Sequence, residues 1–422
     1  METREYNLNS YKLHILKSDK VKSVHLEIHF RDKVNKDNIH YKSMLTDILT
    51  DCSEDYKNRK DVVIRLEELY KAKFYGTTSK LGGIVDNIFV YDFINPEYIK
   101  DKKYLEEVLS LPFDMVLRPK VKNKCFDNKI FEVIKTRAIR DVNSINENPV
   151  KLSINNALNC MDKDSLTSIS VLGSLKKLEE TTPEELYTEY KNMINNSYCD
   201  VFIIGNVDFD EIHKIITKKF NLSSIKTGKL ELNIENKVVS KVKKEVENGP
   251  FIQTNLNVIC NLDKLTKVEK NSTIQVYNYI FGSGGLSSKL YCKLREENSL
   301  CYGVYSLYLK YDNLLIIQVS LDEKNKNKAI TLIKDCLKEM EKGKIDIEEF
   351  EDAKINLLSS LKMSKDNNVA LLSNYIFGIY DALPTIDKRI EDVKNVTMDD
   401  IKNLSKKIKI NTIYSLKSGG NK

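Results

Sequence analysis

The sequence predicts an α+β fold made of two similar halves, and three observations predict it. A helix start followed by a buried strand occurs twice. Thr182-Pro183-Glu184-Glu185 leads through LYTEYKNMIN to the strand CDVFIIG at 199–205. Thr397-Met398-Asp399-Asp400 leads through IKNLSKKIK to a strand at 412–416, an offset of 397 − 182 = 215 residues. The second observation is that Phe131-Glu132-x-x-Lys135 returns as Phe350-Glu351-x-x-Lys354, at 350 − 131 = 219. Two echoes in the same order at similar offsets describe a duplicated unit of about 200 residues. The third is the polar, lysine-rich segment 223–250, which lies where two copies would join. The expected domains are 1–225 and 251–422, with an exposed linker over 226–250.

The elements follow from periodicity and punctuation. Strands are read in KLHILKS and VKSVHLEIHF, then helices over 42–52 and 61–72. Strands over 75–80 and 87–93 precede a helix over 98–111, which Pro112 is expected to end because proline removes a backbone N–H. A long helix over 127–143 is expected to stop before Asn148-Pro149. Thr182, Pro183 and Glu185 stand at N-cap, N1 and N3, the residues of a capping box.

Composition narrows the function classes. With 422 residues, 41% hydrophobic and 30% charged, the chain has what a core needs. Gly 15 and Pro 7 exclude collagen-like or linker-dominated organisation. No stretch approaches the roughly 18 consecutive apolar residues of a membrane helix. The N-terminal METREYNLNSYKLHILKSDK lacks a signal peptide's apolar region. Eight cysteines are scattered singly without a CxxC, which reads as reduced thiols and a cytoplasmic protein without a membrane partner. The net charge of +6 comes from 67 basic and 61 acidic residues interleaved along solvated helix faces such as RLEELYKAK. That pattern lacks the clustered cations of a nucleic-acid interface.

Three motifs invite chemistry and fail on spacing. Phe281-Gly-Ser-Gly-Gly-Leu-Ser-Ser-Lys-Leu290 is not GxxxxGK[ST], and it carries Ser287 where a dinucleotide turn needs a glycine. It reads as a tight glycine turn entering a helix. His25-Leu26-Glu27-Ile28-His29 looks like a metal motif, yet its alternation is that of a strand. Two histidines four residues apart on a strand are about 13 Å apart, too far to share one zinc. They read as a polar sheet face. His213 lies in an ordinary amphipathic helix and no GxSxG elbow occurs. Spacing alone names no catalytic site.

Three longer phrases, over 172–212, 281–306 and 345–361, resemble the pitrilysin/insulinase (M16) metallopeptidase family. They begin LGSLKKLEETTPEELYTEY, FGSGGLSSKLYCKLREENSLCYGVYS and IDIEEFEDAKINLLSSL. The nearest resemblance is to small bacterial members that work in pairs. It implies two homologous M16-type halves, each a mainly antiparallel sheet covered by helices on one face and together forming half of a clamshell.

Active members of that family carry HxxEH on the first-half helix, with a distal Glu as third zinc ligand. Aligning that helix puts Ser43, Thr46 and Asp47 at the His, Glu and His positions, and the distal Glu near Thr136 or Arg137. Hydroxyls are poor zinc ligands and a cation repels the metal, so no metal and no cofactor are expected in this chain. Arg295 and Tyr302, in REENSLCY, match a family pair that contacts substrate backbone and the developing oxyanion. Without the resemblance they read as a helix-terminal arginine on Glu296 or Glu297 and a core tyrosine. The implied function is a catalytically inactive subunit that pairs with a zinc-bearing M16 paralogue and positions substrate peptide for proteolysis or maturation. The alternative is a purely structural scaffold on the same fold.

Overall fold

In the computed structural model, which describes residues 2–222, 230–236 and 238–419, strands with alternating apolar residues build two main sheets. The first uses β1 (Thr3–Leu8), β2 (Tyr11–Lys17), β3 (Ser23–Lys33), β4 (Lys73–Leu81) and β5 (Ile84–Ile94). Strands β6 (Val121–Lys122) and β7 (Cys125–Phe126) form a separate hairpin, and β8 (Tyr198–Gly205) completes the first sheet in the order β1-β2-β8-β3-β5-β4. The first half of the chain also forms α1 (Ile39–Asp51), α2 (Arg59–Glu68), α3 (Tyr104–Leu117), α4 (Asn128–Glu147), α5 (Pro149–Met161), α6 (Leu175–Glu180), α7 (Pro183–Asn196) and α8 (Phe209–Lys219). Val24, Leu26, Ile28 and Phe30 of β3 point into a core with Met44, Leu45 and Ile48 of α1. Period two on the strand and three-to-four on the helix put these residues face to face.

The second sheet contains β9 (Lys243–Gly249), β10 (Thr254–Leu262), β11 (Cys301–Leu309), β12 (Leu314–Leu321) and β13 (Ile408–Ser418), in the order β11-β12-β10-β13-β9. The second half of the chain also forms α9 (Ile274–Asn278), α10 (Lys289–Tyr291), α11 (Lys326–Glu341), α12 (Ile347–Ser364), α13 (Asn368–Asp381), α14 (Ile386–Asn395) and α15 (Met398–Ser405). Read from the other end, the second sheet's order β9-β13-β10-β12-β11 repeats β2-β8-β3-β5-β4 of the first sheet. In both, the first pair is parallel and the rest antiparallel.

The side-chain echoes do the same work in each copy. Thr182 caps α7 reciprocally with Glu185, and Thr397 caps α15 with Asp400. Lys135 donates to the carbonyls of Glu179 and Thr181, Lys354 to those of Lys394 and Val396. In each copy the FExxK lysine ties its long helix to the chain just before the capping box. The compact units are discontinuous: 1–143 with 169–232 and 366–376, and 144–168 with 233–365 and 377–419.

Several expected elements differ. The helix expected over 98–111 is α3, beginning at Tyr104 and running through Pro112. Proline inside a helix costs about 3 kcal/mol. Val108, Leu109, Phe113, Met115 and Val116 are all fully buried, at about 1.5–3 kcal/mol each, and their burial outweighs it. Beyond Asn148, Pro149 opens α5 at N1, capped by Asn148. That helix packs Ala157, Leu158 and Met161 on Ile259, Ile316 and Tyr414 of the second sheet. In the expected linker, 226–229 and 237 lie outside the described residues. Leu230, Leu232 and Ile234 are buried, and Lys243–Gly249 pairs with β13. Among the described residues no single helix is long and apolar enough to cross a membrane.

Gly76 of β4 passes directly under α1. A Cβ there would lie 2.6 Å from the Thr46 carbonyl oxygen and 2.7 Å from Thr46 Cβ. Gly76→Ala is therefore expected to push β4 off α1 and cost about 1–3 kcal/mol. A melting temperature equal to wild type would show that the helix yields freely.

Candidate functional site

The α1 positions read against the zinc motif, Ser43, Thr46 and Asp47, lie on the helix that packs on β4. Thr46 is buried, and its hydroxyl donates to the Ser43 carbonyl at 2.9 Å and lies 3.2 Å from Thr78 Oγ1. Ser43 Oγ is buried and makes no hydrogen bond among the described residues. Asp47 Oδ2 stands 3.8 Å from Arg137 Nη1 of α4, both side chains about a third exposed. Of the two positions read for the distal ligand, Arg137 is thus the one brought to Asp47, while Thr136 is exposed. Burial raises the Asp47 carboxyl above its ordinary value; Arg137 opposes that, and Asp141 and Asp51 add to it.

This donor set does not fit zinc. It offers one hydroxyl already bonded to the helix backbone, a second hydroxyl and one carboxylate facing a guanidinium. Zinc needs three good nitrogen, sulfur or carboxylate donors, and a fixed cation at the third position opposes the metal's charge.

Lys42, the neighbour of Ser43, is 1% exposed and donates at 2.8 Å to both Asp32 of β3 and Glu189 of α7. Burial lowers an ammonium's pKa; here the two carboxylates outweigh it and raise the Lys42 value. The ion triad ties α1 to the sheet and to α7.

Arg295 and Tyr302 come together in the second unit. Arg295 closes a wide helical turn over Cys292–Glu296. Its Nη1 donates to the carbonyls of Cys301 at 2.9 Å and Tyr302 at 3.0 Å, pinning the start of β11. The guanidinium is thus held on backbone carbonyls at the start of the next strand. Register shifts between Cys301 and Gly303, so Tyr302 is the extra residue of a bulge. A bulge re-aims a side chain, and Tyr302 is 55% exposed, not in the core. Its phenol donates to Asp322 Oδ1 at 3.1 Å, and that bond raises the phenol's pKa. The arrangement offers a phenolic oxygen at the surface on backbone held by a guanidinium.

The glycine run is a turn, as read, but a broken helix follows it. A Cβ on Gly282 would meet Ser306 Oγ at 2.4 Å, one on Gly284 would meet the Tyr279 carbonyl at 2.6 Å, and Gly285 has φ +71°.

The polar face of β3 carries more than alternation revealed. His25 Nδ1 lies 2.6 Å from Asp92 Oδ1 and its Nε2 2.8 Å from Glu27 Oε1. His29 Nε2 lies 2.7 Å from Glu27 Oε2 and its Nδ1 2.8 Å from Asp86 Oδ2. Burial would lower both histidines, but carboxylates on either side push each up to about 9. Glu27, which burial would raise, is held down near 2 by the two imidazoles. Asp86 and Asp92 went unread. The available signal was their own period of two through Asp86, Ile88, Val90 and Asp92, which an antiparallel β3–β5 pairing places beside the histidines.

Comparison with known proteins agrees with the phrases. The description "Peptidase M16 inactive domain" matches residues 180–357. A Bacillus subtilis protein described as "Probable inactive metalloprotease YmfF" is 24% identical over 409 residues, covering 96% of this chain and 95% of its own. The crystal structure of a conserved protein from Enterococcus faecalis V583 superimposes with a TM-score of 0.94 at 24% identity, over 100% of both chains. That of a peptidase M16 inactive domain from Pseudomonas fluorescens gives 0.80 at 16% identity, over 100% of this chain and 98% of its own. Residues 180–357 thus match the M16 inactive-domain model, and over nearly its whole length the chain is similar to a protein described as a probable inactive metalloprotease and shares the fold of an M16 inactive-domain structure.

Proposed function

We propose that this chain is the non-catalytic subunit of a cytoplasmic M16 pair, binding and positioning substrate peptide for a zinc-bearing M16 paralogue. The observation that carries the reading is the contrast between its two motifs. The α1 positions hold Ser43, Thr46 and an Asp47 faced by Arg137, whereas Tyr302 stands exposed on a bulge that Arg295 anchors. What favours this reading over a pure scaffold is that the Tyr302 phenol stands on a bulge whose backbone Arg295 holds, and a bulge re-aims its side chain. A phenolic O–H that exchanges Asp322 for a peptide carbonyl donates to that carbonyl, and an extended peptide satisfies its remaining backbone groups by strand addition.

The test is reconstitution with a zinc-bearing M16 paralogue and a quenched fluorescent peptide. The chain alone is expected to cleave nothing and to hold no stoichiometric zinc, while the pair cleaves. Arg295→Ala and Tyr302→Phe in this chain should each lower kcat/KM of the pair about ten-fold, the loss of roughly 1.4 kcal/mol of binding. Unchanged cleavage by both variants would leave the scaffold reading standing. Zinc-dependent cleavage by the chain alone would remove both.

A further inference from the structure

The two main sheets have four outer strands, and one differs in chemistry from the rest. An outer strand presents unpaired N–H and C=O groups, which proteins guard with charged side chains. β1 carries Arg4 and Glu5, β4 carries Lys73 and Lys80, and β9 carries Lys243, Lys244, Glu245 and Glu247. β11, CYGVYSLYL, carries no charge over nine residues. No strand among the described residues lies beyond it. Within the duplicated topology it holds the place that β4 holds in the first sheet.

The strand is also dressed for a neighbour. Val304 and Ser306 are buried toward the helices, where Ser306 Oγ donates to Asn278 Oδ1 at 2.6 Å. Tyr305 and Leu307 alternate with them and are 38% and 40% exposed. A Cβ on Gly303 would meet nothing within 4 Å, so the backbone there is open to close approach. The carbonyls of Cys301 and Tyr302 are already engaged by Arg295. The segment from Gly303 to Leu309 remains, long enough at about 3.3 Å per residue to pair some six residues of another chain.

We infer that the outer edge of β11 is a peptide-binding site that takes an extended, uncharged segment with alternating β-branched or aromatic residues as an added strand. The inference rests on the reading of the chain as a peptide-holding subunit and names which edge does the holding. Charge decides the class. A peptide carboxylate or ammonium laid on this edge would lose water and find no counter-charge on the strand, whereas a neutral segment exchanges the water on its amides for main-chain hydrogen bonds. Tyr305 and Leu307 then form one wall of the contact, supplying the cross-strand pairs that set register.

The experiment titrates the full chain into a fluorescein-labelled decapeptide of alternating valine and threonine, followed by anisotropy. Binding is expected, at least ten-fold weaker with Tyr305→Lys/Leu307→Lys and unchanged with Thr77→Lys on β4. Peptides N-methylated at alternate residues separate backbone from side-chain recognition. Methylation in one parity should abolish binding and in the other leave it intact, a readout on the wild-type chain that needs no variant to fold. Equal binding of both methylated peptides would overturn the inference. So would loss of binding with Thr77→Lys instead, or sedimentation showing a β11-dependent dimer that takes no peptide. If Arg295→Ala and Tyr302→Phe impair the pair while the double lysine variant binds normally, the β11 assignment fails and the proposed function survives. If none of these variants has any effect, both fail.

Discussion

Lys42→Ala is expected to destabilise the first unit by about 3–5 kcal/mol, the cost of breaking a buried ion pair from one side. The argument is electrostatic, not steric. Lys42 Nζ contacts Asp32 and Glu189 at 2.8 Å each, and both carboxylates are largely buried. With the ammonium gone, two like charges face each other where water is scarce. Asp32 also accepts from Ser197 Oγ at 2.6 Å, and Glu189 from Asn38 at 3.2 Å, but neutral donors do not replace a counter-ion. For a unit of about 200 residues the loss amounts to a fall in melting temperature on the order of 10 °C. A triple variant, Lys42→Met with Asp32→Asn and Glu189→Gln, should recover most of it, because neutral groups of similar shape often replace a buried ion pair at little cost. A Lys42→Ala chain melting within 2 °C of wild type, by the ~2–4 °C per kcal/mol expected at this size, would refute the assignment.

The duplication was legible because its signals are local. A capping box and an FExxK turn are written within a few residues, and both halves carry them as expected. What was not legible depends on contacts far apart in the chain. Pro112 sits inside α3 because buried neighbours hold the helix, and no window around Pro112 contains that information. Lys243–Gly249 reads as connector since six of its seven residues are exposed, yet β13 supplies a parallel partner from more than 160 residues away. The same holds at the candidate site. Aligning the zinc helix left Thr136 and Arg137 undecided; helical phase brings Arg137 beside Asp47 and leaves Thr136 exposed. Arg295 was read against its neighbours Glu296 and Glu297. The turn at Ser299, with φ +51°, instead folds β11 back so that the guanidinium meets the carbonyls of Cys301 and Tyr302.

Stability of the first unit should fall as pH rises from about 6.5 to about 9, and the β3 network is the reason. His25 and His29 both have folded-state pKa values raised to about 9, against about 6.5 when unfolded. A raised pKa contributes stability that is fully present below 6.5 and lost as pH passes through 9. Above it, both imidazoles are neutral and Glu27, Asp86 and Asp92 lose the positive charge that the histidines supply. Glu27, lowered to about 2, acts in the opposite direction: its contribution is present above about 4.3 and lost as pH falls through 2. The network is therefore worth most between about pH 4.5 and 6.5. Each histidine alone corresponds to roughly 3 kcal/mol at 1.36 kcal/mol per pH unit. The pair contributes less than twice that, because both lean on Glu27 and titrate together. Thermal melts of the wild type between pH 6 and 10 should slope downward, and His29→Gln should flatten the slope while lowering stability at pH 6. A melting temperature level from pH 6.5 to 9 would mean that the two imidazoles are neutral in the folded chain, and that the carboxylates around them are held by other donors.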